Sequence, residues 1–132
     1  MIVVDTSVWI PHLHGFTSKA TLALRRATET GQVVLADIVL LELLQGARSD
    51  ADARRLREDL EMYPTVNVLD EAIAIAAAEN YRLLRGKGIT IRKTPDLILG
   101  TFCIERGGRL LHGDRDFGAL ETHLGLEVFR PT

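Results

Sequence analysis

Met1-Ile2-Val3-Val4-Asp5-Thr6-Ser7-Val8-Trp9 opens the chain, and the architecture follows from how this stretch is read. Ile2 to Val4 form a short β-branched run of the kind that suits a buried strand. Asp5 then stops it with a charge, and Thr6 or Ser7 can cap a helix running through Trp9 and Leu13. A strand buried on both faces, followed at once by a helix, is the opening of a parallel α/β sheet. Carboxyl ends of such strands are where ligands bind, so Asp5 falls at the functional edge.

The same alternation continues outward from this start. Thr17 or Ser18 opens a second helix that Gly31 ends, Val33-Val34-Leu35 reads as a second strand, and Asp37 is a fitting N-cap for a helix ending at Gly46. Asp50 begins an Arg-rich helix that Pro64 breaks, Val66-Asn67-Val68 reads as a third strand, and Asp70 or Glu71 begins an Ala-rich helix that stops near Gly86. Thr94-Pro95-Asp96 combines a capping hydroxyl, a proline at the first helical position and a first-turn acid. Arg109 to Leu111 is a fourth strand, Phe117 to His123 a helix, and Leu126 to Phe129 a fifth short strand. The expected fold is one α/β domain over residues 1–132, a mostly parallel sheet covered on both faces.

Composition narrows the function. A net charge of −2 excludes a domain that holds nucleic acid by overall charge, since such domains are strongly basic. One cysteine, Cys103, in an apolar run, excludes a disulfide framework and reads as a packing thiol in a reducing compartment. No apolar run approaches the roughly 20 residues that span a bilayer, and no secretory leader is visible. The expected location is cytoplasmic, with no membrane partner.

Charges set against apolar runs carry the chemistry. Glu42 interrupts Val39-Leu40-Leu41-Glu42-Leu43-Leu44, Asp96 opens Leu97-Ile98-Leu99, and Asp114 and Asp116 follow Arg109-Leu110-Leu111. Each has a plain structural alternative: Asp5 and Asp116 as caps, Asp96 as a dipole-favoured first-turn acid worth about 0.3–1 kcal/mol, Glu42 as a solvent-facing side chain. Together they say more. Carboxylates about 4 Å apart at an effective dielectric near 20 repel by roughly 4 kcal/mol per pair, so a cluster must bind cations or take up protons. Hard oxygen donors suit Mg²⁺ or Mn²⁺. The bases Arg82, Arg85, Lys87, Arg92 and Lys93 precede Asp96 with no acid among them, either as a solvated helix end and loop or as a phosphate-binding rim. His12 and His14 lack a third ligand nearby and read as surface histidines.

Four segments in this order resemble PIN-domain ribonucleases, and within them the VapC toxins: Met1 to Ile10, Leu41-Glu42-Leu43, Thr90-Ile91-Arg92-Lys93-Thr94-Pro95-Asp96-Leu97-Ile98, and Leu111-His112-Gly113-Asp114-Arg115-Asp116-Phe117. The resemblance implies a Rossmann-like α/β/α sandwich, a Mg²⁺- or Mn²⁺-dependent endoribonuclease acting on an RNA substrate, a VapB-type antitoxin partner and a homodimer. Carried over by position, Asp5, Glu42, Asp96 and Asp114 match the acidic quartet and Asp116 the additional acid. Asp5, Asp96 and Asp114 would hold metal most directly, with Glu42 and Asp116 orienting water or supporting those ligands from behind. Thr6 or Ser7 would steady a ligand by hydroxyl, and Arg92 and Lys93 would meet RNA. His112 stands where relatives have Thr or Ser, and is expected as a hydrogen-bonding neighbour of the site. An antitoxin helix is expected between the helices following Thr17 and Asp50.

Two other readings use the same acids. A phosphate-transfer domain, whether an aspartyl phosphatase or a receiver-type signalling domain, also sets acids on a parallel sheet. The phosphatase needs a second acid where Ser7 stands, and the receiver needs a mid-chain Asp that the order Asp5 then Glu42 does not supply. A non-catalytic acidic module that docks a basic peptide is the remaining alternative.

Overall fold

The computed structural model describes residues 1–131. Four parallel strands form its sheet: β1 (Ile2–Val4), β2 (Val33–Ala36), β3 (Thr65–Val66) and β4 (Arg109–Leu111), in the order β3-β2-β1-β4. β1 is central, with Ile2 opposite both Val33 and Arg109, and all three of its residues are buried. That explains its unbroken apolar sequence, since both of its faces meet helices.

The helices are α1 (Thr6–Leu13), α2 (Lys19–Glu29), α3 (Asp37–Gln45), α4 (Asp50–Leu60), α5 (Glu71–Gly86), α6 (Thr94–Arg106) and α7 (Gly118–Leu124). Helices α1 to α4 pack on one another, and by the right-handed rule for parallel crossovers they belong to one face, where the chain steps from β1 outward to β3. By the same rule α5 and α6, which pack together, belong to the other face, where the chain returns past β1 to β4. The direction of winding therefore reverses between β1 and β4, and the crevice at the carboxyl ends of those two strands is the site-forming position of such sheets. The carboxyl ends of β1 and β4 are tied together by the Asp5 amide, which donates to the Leu111 carbonyl at 2.9 Å.

Several local expectations change. The third strand is Thr65–Val66, paired with Leu35 and Ala36, and ends before Val68. Val68 is buried in the core, but its amide leaves the ladder to donate to Asp37 Oδ1 at 3.2 Å. Asp37 is accordingly the first residue of α3 rather than its N-cap, which is Ala36, and its carboxylate also accepts from the Ile38 amide at 2.8 Å. One side chain thus joins the start of α3 to the chain leaving β3. At α6 the N-cap is Lys93, with no side-chain cap bond, so Thr94 is helical rather than capping. The expected fifth strand reduces to a parallel bridge between Val128 and Leu110. The helix expected from Phe117 starts at Gly118, after a 3-10 turn over Arg115–Phe117.

The remaining starts follow ordinary capping. Ser18 and Thr21 form a reciprocal capping box at α2, Ser49 caps α4, and Asp70 caps α5 while pairing with Arg106 of α6 at 2.7 Å. Gly107 closes α6 at φ +71°, a left-handed conformation that glycine adopts without strain, and turns the chain into β4. Cys103 is buried in the core, and burial pushes its thiol up to about 12, as a packing thiol requires. No helix among the described residues is long and apolar enough to cross a membrane.

Candidate metal and active site

Asp5 follows β1 directly, is 4 % exposed, and caps α1. Its Oδ2 accepts from the Ser7 amide at 3.1 Å and from the Ser7 hydroxyl at 2.6 Å. The same hydroxyl oxygen accepts from the Gly113 amide at 3.0 Å, so Ser7 straps the end of β1 to the loop after β4. Thr6, also expected to contribute a hydroxyl, stands half-buried as the first residue of α1, and the strap is made by Ser7.

Asp96, in the first turn of α6, is 7 % exposed. Burial pushes its carboxyl up to about 6, and Asp5, Asp114 and Glu42 add repulsion against the opposing pull of Lys93. Its Oδ2 is buried with no hydrogen-bond partner. A lone buried carboxylate oxygen is costly unless a cation or a proton meets it. Glu42, half-buried in α3, is raised by burial and by Asp5, so it senses the same cluster and does more than face solvent.

Asp114 behaves in the opposite way. Its Oδ1 accepts from the Asp116 amide at 2.9 Å and its Oδ2 from Lys93 Nζ at 3.1 Å, which together hold its carboxyl below the usual range. Lys93 Nζ is also 3.6 Å from Asp116 Oδ2, and these acids hold its ammonium charged beyond the usual lysine range. Asp96, Asp114 and Asp116 each offer an oxygen within 4.8 Å of the others. Asp5 and Glu42 stand outside that trio but couple electrostatically to Asp96. Asp116, expected to orient water or to support the metal ligands, belongs to this close trio.

The donor set fits a hard divalent cation on three counts: it is all carboxylate oxygen, it contains an unpartnered buried oxygen, and a cationic ammonium already lies against two of its members. Lys93, expected on an RNA-facing rim, contacts the acids. Arg92 is exposed beside it and lines a separate cavity.

His112 supports the loop that carries Asp114. The Asp114 amide donates to His112 Nδ1 at 3.2 Å, and Nε2 lies 3.1 Å from Glu121 Oε2. An imidazole accepting at Nδ1 carries its proton on Nε2, which therefore donates to Glu121. Glu121 in turn accepts from Arg130 at 3.2 Å. Glu121 escapes sequence reading because it lies beyond the last motif acid, on a helix face with no apolar run to mark it. His12 also differs from expectation: it is half-buried, edge-on to Trp9 at 6.0 Å, and burial and Arg25 lower its pKa. His14 is exposed as expected.

A cleft of about 570 Å³ opens at Glu42. Ile10 and Leu13 of α1, Leu43 of α3 and Leu56 of α4 supply its apolar wall, and Glu42 reaches into it. This cleft is walled by α1, α3 and α4, and no residue of α2 lines it.

Comparison with known proteins agrees with this geometry. Residues 2–122 match the PIN domain family. The VapC ribonuclease Mb1587 of Mycobacterium bovis and the ribonuclease VapC11 of Mycobacterium tuberculosis are each 31 % identical over 134 residues, covering 98 % of this chain and all of theirs. The structure of VapBC2 from Rickettsia felis bound to a DNA fragment from its promoter superposes with a TM-score of 0.77 over all of both chains, at 16 % identity. FitAcB from Neisseria gonorrhoeae superposes at 0.75 and 20 % identity, over 99 % of this chain and 98 % of that one. The family match and the full-length similarity converge: the chain belongs to the PIN-domain family and, within it, to the VapC ribonucleases.

Proposed function

We propose that this chain is the toxin of a type II toxin–antitoxin pair, a Mg²⁺- or Mn²⁺-dependent endoribonuclease built as one domain over residues 1–132. The observation that carries the reading is the buried, unpartnered Asp96 oxygen beside Asp114 and Asp116. These three residues would hold the cation, with Asp5 adding negative field from behind. When bound, such a cation supplies charge neutralisation at a phosphate and lowers the pKa of a coordinated water. Hydrolysis adds water to phosphorus and breaks the bond to the leaving ribose oxygen. Glu42, whose carboxyl is raised, is suited to orienting that water and taking its proton. Lys93 keeps the acids compact without metal, and Ser7 and His112 hold the loop of Asp114 in place.

The partner is a VapB-type antitoxin, since solved neighbours of this fold include members of the VapBC family of toxin–antitoxin systems. An amphipathic segment would lay its apolar anchors on Ile10, Leu13, Leu43 and Leu56. A basic side chain from it would reach Glu42 and the acids behind. The toxin acts in the cytoplasm as a homodimer.

The decisive experiment is cleavage of single-stranded RNA by the purified chain stripped of any partner. We expect cleavage with Mg²⁺ or Mn²⁺ and none in excess EDTA, with a folded Asp5→Asn protein inactive throughout. Cleavage that survives EDTA, or that the Asp5→Asn preparation retains, refutes the reading.

A further inference from the structure

Beside the acids lies a second cavity, of about 310 Å³, that the chemistry above does not use. Ile89, Ile91 and Ala119 form its apolar side, Arg92 and Arg115 bring two guanidinium groups, and Asp116 is shared with the acidic trio. Both arginines are exposed, and among the described residues neither guanidinium group makes an ion pair or a hydrogen bond. The adjacent base Lys93 is by contrast spent on acids of the chain, Asp114 and Asp116. Asp116 borders the cavity, yet its carboxylate is paired with Lys93.

Two unpaired guanidinium groups beside one cavity, in a protein of net charge −2, form a local anion site. The planar fork of arginine matches phosphate oxygens two at a time. The apolar side suits the ribose or base face of a nucleotide rather than a bare ion. Because the cavity shares Asp116 with the trio, a phosphate held here belongs to a nucleotide next to the one being cut.

We propose that Arg92 and Arg115 form a subsite for a phosphodiester flanking the scissile one in single-stranded RNA, with Ile89, Ile91 and Ala119 receiving the adjoining nucleoside. This rests on the ribonuclease reading and adds to it a binding position and a residue, Arg115. The two arginines recognise the strand while Lys93 serves the acids.

The test is equilibrium binding of a fluorescent single-stranded RNA in EDTA at several salt concentrations, alongside cleavage with Mn²⁺. The Arg92→Ala/Arg115→Ala protein should bind at least tenfold more weakly than wild type. Its plot of log affinity against log salt should be shallower by about 0.7 for each phosphate that the variant no longer neutralises. Lys87→Ala, an exposed charge outside the cavity, should bind like wild type, and all three proteins should melt alike. Equal affinity and equal salt slope in the double variant overturn the subsite, as does wild type that binds no RNA. So does inorganic phosphate that displaces the RNA at the same concentration from the double variant as from wild type. RNA that binds as described yet is never cut with Mn²⁺ leaves the subsite standing and removes the nuclease reading instead.

Discussion

Asp96 and Asp114 are the same residue type a few ångströms apart, with opposite electrostatic fates. Asp114 receives an amide and an ammonium and stays ionised, whereas Asp96 is buried with one oxygen unmet and is pushed up to about 6. Without metal the folded protein therefore holds a proton on Asp96 that the unfolded chain, near the ordinary value of 3.8, has already released. Stability falls as pH rises wherever the native state binds more protons, so the Asp96 contribution weakens folding between about pH 4 and pH 6 and levels off above. Asparagine has no such charge. Asp96→Asn should abolish cleavage, match wild type in melting temperature near pH 4, and exceed it by pH 7 when both are in EDTA. Calorimetry across that range checks this; parallel curves would show that Asp96 carries no unrelieved charge.

Among the elements, α6 has the tightest constraint. It brings Asp96 to the site at its first turn, and one turn later Gly100 lets Leu120 of α7 lie against its backbone. A Cβ at Gly100 would collide with Leu120 Cδ2, and Leu120 is fully buried. Alanine gains about 1 kcal/mol in helix propensity, but overpacking a filled core costs roughly 1–3 kcal/mol. Packing wins or at best ties, so Gly100→Ala should lower stability by up to about 2 kcal/mol. Because α7 also carries Glu121, the partner of His112, the same change should reduce cleavage by disturbing the Asp114 loop. Urea denaturation with RNA cleavage tests both, and a clear gain in stability would mean that Leu120 has room to move.

Across the molecule, the strand order β3-β2-β1-β4 gathers acids from four separate stretches at one crevice. Glu42, Asp96, Asp114 and Asp116 there meet the ammonium of Lys93, while Asp5 adds its repulsion to Asp96 and Glu42, and the imbalance is what a divalent ion would correct. A ligand bound only by the native state stabilises it by about 2.7 kcal/mol at a hundred times its Kd. Mn²⁺ should therefore raise the melting temperature of wild type at pH 7. Asp96→Asn should show a much smaller rise, and its metal-free advantage should vanish or reverse as Mn²⁺ is added. Equal shifts in the two proteins would place metal binding elsewhere.

Much of this was written along the chain in local terms. Buried parallel strands need continuous apolar runs, so Ile2–Val4 and Arg109–Leu111 were legible as strands, and the acids stood out because charge has no packing reason to follow such runs. Motif order carried the family. Tertiary structure decided whatever depends on which distant groups meet. Asp37 is a tie to Val68 rather than a cap because the chain leaving β3 passes within hydrogen-bond reach. Lys93 faces the acids and Arg92 the neighbouring cavity because the backbone is extended at Lys93, just before α6, and successive side chains of extended backbone point to opposite sides. Asp116 joins Asp96 and Asp114 while Asp5 is held by Ser7. Periodicity reports which face a residue lies on, and the partners it finds there are set by the crossovers that bring the faces together.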